Sequence, residues 1–203
     1  MRKELKSKMQ TIFVADKSLT ELECLFACDI ENDDDFYDVL AYNISQLDPD
    51  YFIERVRFYP VPRLRGAVFG LGSSPKRDHR QQATLVSLLT HSDPLIVAEA
   101  IDAITRSGHT SSWSTVMPLL GHQSPYVRGA VARFATVALP SDQAFNFLIN
   151  LLEDKHPIVK QNAIDELSQL GNLRAISYIR PYLDDPDEDV QQAAQTAINV
   201  LSR

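Results

Sequence analysis

The sequence predicts an all-α fold, a right-handed α-solenoid of about five to six helical hairpins. Three observations predict it: a motif that recurs every 31–32 residues, an apolar pattern of helical period inside each copy, and the same turn chemistry between its two halves. Two stretches nearly coincide, Pro62-Arg-Leu-Arg-Gly-Ala-Val68 and Pro125-Tyr-Val-Arg-Gly-Ala-Val131. Aligned on the apolar residue two after the proline, the series reads Leu64, Ile96, Val127, Val159 and Val190, with Glu188 standing where the last proline would be.

The elements follow in order. Residues 1–17 form a basic N-terminal segment or helix, with five basic and two acidic residues. Residues 18–50 read as a divergent capping pair, as terminal repeats must shield an end of the stack. Its first half is amphipathic through Leu19, Leu22, Leu25 and Phe26. Asp33-Asp34-Asp35 makes an acidic turn suited to a helix N-terminus, before Phe36, Val39, Leu40, Ile44 and Leu47 at helical spacing. Residues 51–203 hold five repeats, expected as a single continuous solenoid.

Each repeat opens with a short helix, roughly over 50–58, 80–90, 112–121, 143–153 and 174–183, closed by Val56, Leu88, Leu119, Leu151 and Tyr182. Polar turns follow, HSDP at 91–94, HQSP at 122–125, DKHP at 154–157 and DDPDE at 184–188. The proline fits the first turn of the second helix, where a missing N–H costs nothing. Second helices carry apolar residues three and four apart, such as Val159, Ala163, Leu167 and Leu170. The small Ala67, Ala100, Ala130, Ala163 and Ala194 allow close helix approach. Gly72, Gly108 and Gly171 are expected as helix stops. Pro118 and Pro181 share one repeat position and are expected to mark a repeated kink.

Composition removes several classes. Apolar residues at 44% and charged residues at 23% are those of a globular chain. Two cysteines make no disulfide scaffold, and no stretch nears the ~20 apolar residues of a membrane helix. The charged N-terminus does not read as a secretory signal, so the expected compartment is the cytoplasm. A net charge of −7 opposes nucleic acid and anionic membranes. Charge is blocked: residues 18–53 hold ten acidic and no basic residues, whereas 54–80 hold seven basic and two acidic. Such blocks are either solvated faces or a charge-steered docking surface.

The repeat residues resemble HEAT-type α-helical repeats, in particular the short repeats of phycobilin-lyase-type (PBS lyase) HEAT proteins. The resemblance rests on Pro118-Leu-Leu120 with Pro125-Tyr-Val-Arg-Gly-Ala130, and on Pro181-Tyr-Leu-Asp-Asp-Pro with Val190-Gln-Gln-Ala-Ala194. His91 and His122 depart from the family's turn aspartate, and Val97 and Gln191 from its arginine. The resemblance implies a solenoid whose second helices line the concave side. It implies a protein–protein interaction scaffold or adaptor, with a subunit or chaperone of a phycobilin lyase as the alternative. It names no cofactor. The expected partner is another protein, with hetero- and homo-oligomers both open.

Candidate chemistry is sparse. Cys24 and Cys28 share a helix face but lack metal-ligand company, so core filling is expected. His91 and His122 stand at equivalent turn positions, with Asp154 and Asp185 in later copies, a pattern that capping explains. Gly70-Leu-Gly72-Ser-Ser-Pro-Lys76 lacks the end of a phosphate loop and reads as a helix end plus loop. No catalytic set stands at recognisable spacing, so the chain reads as a binding module rather than an enzyme. Positions one and six after the repeat apolar residue should escape the core. They nominate Arg65, Arg128 and Lys160 as a basic row, joined by Arg133 and Asp165, with Tyr126 as an aromatic anchor. The competing reading is a ladder in which each cation bonds a turn carboxylate of the next repeat.

Overall fold

The computed structural model describes residue 14 and residues 16–28, 34–61 and 63–203. Apart from Val14, Asp16 and Lys17, the expected basic segment 1–17 lies outside the described residues, as do Asp33, the Asp34 side chain and Pro62. Every regular element among the described residues is a helix. The chain forms two compact units, 1–107 and 108–203.

The first unit contains α1 (Leu19–Ala27), α2 (Asp34–Leu47), α3 (Tyr51–Arg55), α4 (Arg63–Ser73), α5 (His79–Ser87) and α6 (Pro94–Ser107). Ser18 opens α1 with a capping box, because its hydroxyl accepts the Glu21 N–H while the Glu21 carboxylate accepts the Ser18 N–H at 2.9 Å. Asp78 caps α5 by accepting the N–H groups of Arg80 and Gln81 at 2.9 and 3.0 Å. The second helices α2, α4 and α6 lie side by side, α2 on α4 and α4 on α6.

Glycines make that approach possible. A Cβ built at Gly66 would stand 2.6 Å from the Tyr37 Cβ, at Gly70 2.7 Å from the Ala41 Cβ, and at Gly72 2.5 Å from the Ala103 Cβ. Gly72 is therefore a packing residue inside α4 and not the helix stop expected of it. Phe26 ties α1 to this row, edge-on to Tyr37, Phe52 and Tyr59 with centroids 5.6, 5.4 and 5.2 Å away. The buried stripe of α2 runs through Tyr37, Leu40, Ala41 and Ile44, while Leu47, expected within it, is exposed.

The second unit contains α7 (Trp113–Val116), α8 (Pro125–Ala138), α9 (Ser141–Leu151), α10 (Pro157–Gln169), α11 (Ala175–Ile179) and α12 (Glu188–Leu201). Again the second helices pack in a row, α8 on α10 and α10 on α12. Phe145, Leu148, Val159, Ile164, Leu167, Ile179 and Val190 form its continuous core. Trp113 joins the rim of this core against Phe134 and Phe147.

The helix stops at Gly108 and Gly171 hold, with φ of +72° and +68°, values glycine adopts without a Cβ penalty. Pro118 and Pro181 sit in 3-10 tails, Met117–Gly121 and Arg180–Asp184. Such tails also close α3 over Val56–Phe58 and α5 over Leu88–Thr90 without any proline. The tightened end thus belongs to the repeat, and the prolines tolerate it rather than cause it.

Candidate functional site

The turns between paired helices share one hydrogen bond. In each, the first side chain accepts the backbone N–H two residues on: His91 from Asp93 (3.0 Å), His122 from Ser124 (3.0 Å), Asp154 from His156 (2.9 Å) and Asp185 from Asp187 (3.0 Å). The two histidines are accordingly turn-forming acceptors that stand in for aspartate.

Where that residue is aspartate it does a second job. Arg128 on α8 grips Asp154 with two hydrogen bonds of 2.8 Å, and its third nitrogen donates to the carbonyls of His122 and Gln123 at 2.9 and 3.0 Å. Lys160 on α10 pairs in the same way with Asp185. These are rungs between consecutive repeats of the second unit. The Arg128 side chain is only 8% exposed and Asp154 13%, so this pair is largely shielded from water, and removing one partner would leave the other's charge unpaired at a cost of about 1–3 kcal/mol. The Arg128 guanidinium holds the Asp154 carboxyl below the usual carboxylate range. Burial pushes Asp185 up, but the bonds from Lys160 and the Asp187 N–H outweigh it and leave that carboxyl low.

The open face of the second helices lies elsewhere. On α8 it carries Tyr126, which is 50% exposed, then the partly buried Arg133 and the exposed Val137. The matching stripe on α10 is Asn162, Asp165 and Gln169, with Asn162 partly buried and the other two exposed, and the same repeat positions on α12 are the buried Ala193 and the exposed Thr196 and Val200. Spacings of three and four place each set on one helix face. Arg133 donates to the Asn162 amide oxygen, and Gly129 lets that amide lie against α8, so the first two stripes are linked. Of the nominated residues in the second unit, Tyr126, Arg133 and Asp165 therefore share the open face. Arg128 and Lys160 sit beside it in the rungs. The amides at 162 and 169 were missed from the sequence, where polar residues opposite an apolar stripe look like any solvated face.

In the first unit, Arg65 on α4 is partly buried in a mixed cluster with Asp38, Glu99 and Arg106. Cys24 and Cys28 are exposed free thiols and do not fill the core as expected, because Leu22 and Phe26 supply the buried stripe of α1. The segment from Gly70 to Lys76 is a helix end pinned to the preceding loop. Ser74 donates to the Pro49 carbonyl at 3.0 Å and Lys76 pairs with Asp50 at 2.7 Å. No helix among the described residues is long and apolar enough to cross a membrane.

Residues 114–199, all within the second unit, match the family model for HEAT repeats. No curated protein matches the chain. Solved structures of engineered proteins from the Northeast Structural Genomics Consortium are similar to it. One has 15% identity and a TM-score of 0.53, over 90% of this chain and 96% of its own. Another has 19% identity and a TM-score of 0.53, over 91% of this chain and 98% of its own. At these identities the likeness concerns the fold alone. The class is an all-α repeat protein of stacked helical hairpins, in which residues 114–199 match the model for HEAT repeats.

Proposed function

We propose that the chain is a protein-binding scaffold that holds a segment of a partner protein on the open faces of its second helices. The observation that carries this reading is the side-by-side set of stripes in the second unit. α8 and α10 present Tyr126, Arg133, Val137, Asn162, Asp165 and Gln169 on one face, and α12 continues it with Thr196 and Val200. Amides both donate and accept, so such a platform suits the backbone of an extended or helical segment. Tyr126 supplies the anchor, with Arg133 and Asp165 as opposite charges at its side. Arg65 is assigned the corresponding role in the first unit. Arg128 and Lys160 act beneath the face, by fixing the turns that space the helices.

Capture from native lysate, quantified by mass spectrometry, tests this on Tyr126→Ala combined with Asp165→Arg. Both side chains are exposed, so the variant should melt like the wild type. A partner enriched on the wild type should fall at least tenfold on the variant. An unchanged set of captured proteins contradicts the reading. The bilin-lyase alternative stands on the repeat resemblance alone, and absorbance on mixing with a linear tetrapyrrole decides it.

A further inference from the structure

We propose that a cavity between α2 and α4 is a receptor for a single cationic side chain, a lysine or arginine carried by an exposed segment of a partner protein. This deepens the scaffold reading and rests on it. The cavity has a volume of about 280 Å³ and is lined by Asp38, Val39, Tyr42 and Asn43 of α2 and Phe69 of α4. It therefore opens on the second-helix row of the first unit.

Its walls suit the stem and its polar groups suit the head of a long basic side chain. Val39, Tyr42 and Phe69 offer apolar and aromatic surface for methylene groups, and aromatic faces also attract a cation. The Oδ1 atom of Asp38 is fully buried and has no hydrogen-bond partner. A buried acceptor without a donor is costly, and a bound ammonium or guanidinium would offset the charge of this carboxylate from the cavity that Asp38 lines. Asn43 gives its amide N–H to the Val39 carbonyl at 2.8 Å, which leaves its side-chain oxygen as a second acceptor.

The surrounding charges favour a cation too. Asp38 is faced by Asp35 on its own helix, by Arg65 on α4, and by Glu99 and Arg106 on α6. That makes three carboxylates against two guanidiniums. Arg106 is bound to Glu99 at 2.6 Å while its guanidinium lies over Phe69, 4.5 Å from the ring centroid. Burial, with Glu99 adding to it, pushes the Asp38 carboxyl up to about 7. Once Asp38 is ionised the cluster holds one negative charge more than positive, and a ligand cation restores the balance. Asp38 also stands in the segment 18–53, which contains ten acidic residues and no basic one.

The probe is acetyl-tetralysine amide, titrated into the full chain and followed by amide shifts in nitrogen–proton spectra, with acetyl-tetraglutamate amide as the control. Shifts should cluster at Asp38, Val39, Asn43 and Phe69. Affinity should rise about tenfold from pH 6 to pH 8 as the Asp38 carboxylate forms. Asp38→Asn, which keeps size and removes charge, should weaken binding about tenfold and flatten the pH profile, whereas Glu23→Gln in the same acidic segment should change it less than twofold. Equal loss in both variants, shifts spread over α1 to α3 without Phe69, or no binding at all would each overturn the proposal. Tetralysine binding at this site with no captured partner overturns the scaffold reading instead. A captured partner with no tetralysine binding overturns the pocket alone.

Discussion

Two aspartates in this chain experience opposite surroundings, and the difference sets opposite responses to pH. Asp154 is held low by hydrogen bonds from Arg128, so its contribution to stability is complete above the ordinary carboxylate value of 3.8 and is lost as pH falls through its depressed value. Asp38 is held high, at about 7, by burial and by Glu99. Its effect has the reverse sign: the fold is favoured in full below 3.8, and that advantage is lost as pH rises through 7. Thermal melts should therefore show Asp38→Asn more stable than the wild type at pH 8, on the order of 2–4 kcal/mol, and nearly equal to it at pH 4. A variant no more stable at pH 8 would mean that the native fold solvates this carboxylate. Nothing in sequence spacing marks Asp38. It stands one place off the Tyr37–Ala41–Ile44 stripe, and its burial arises because α4 packs against α2, a tertiary effect that no local pattern records.

At the scale of the element, repeat grammar was largely legible because each helix pair is defined by local chemistry. The expected first helices at 50–58, 80–90 and 112–121 correspond to Tyr51–Phe58, His79–Thr90 and Trp113–Gly121 with their 3-10 tails included. The shared turn position was legible as well, and its double use stood as one of two readings of the basic row. The carboxylates that close turns at Asp154 and Asp185 also receive the cations of the preceding repeat, and that needs the register between neighbours. The glycines were misread where packing decides. Gly72 looks like a helix stop because glycine often is one, but it lies against Ala103. Helix propensity alone predicts that Gly72→Ala stabilises α4 by about 1 kcal/mol. The 2.5 Å approach predicts the opposite, a loss of about 1–3 kcal/mol from overpacking, measurable by urea unfolding. A more stable Gly72→Ala protein would show that α4 and α6 are farther apart than described.

Across the whole molecule, the same repeat serves two kinds of surface. In the second unit the cations Arg128 and Lys160 bond turn carboxylates of the next repeat, and amides are left on the open face. In the first unit the acidic helix α2 borders a cavity with a carboxylate at its wall. The basic row nominated from the sequence did not foresee this division, because a periodic arginine or lysine has the same spacing whether it meets a partner or the next turn. The central claim is that partners meet the second helices. Site-specific photocrosslinking tests it most directly, with the crosslinker placed in turn at Asp165 and Thr196 on second helices and at Asn146 and Ser177 on first helices, all exposed. Adducts with one partner from positions 165 and 196, and none from 146 and 177, are the predicted result. Adducts from the first-helix positions alone would contradict the account.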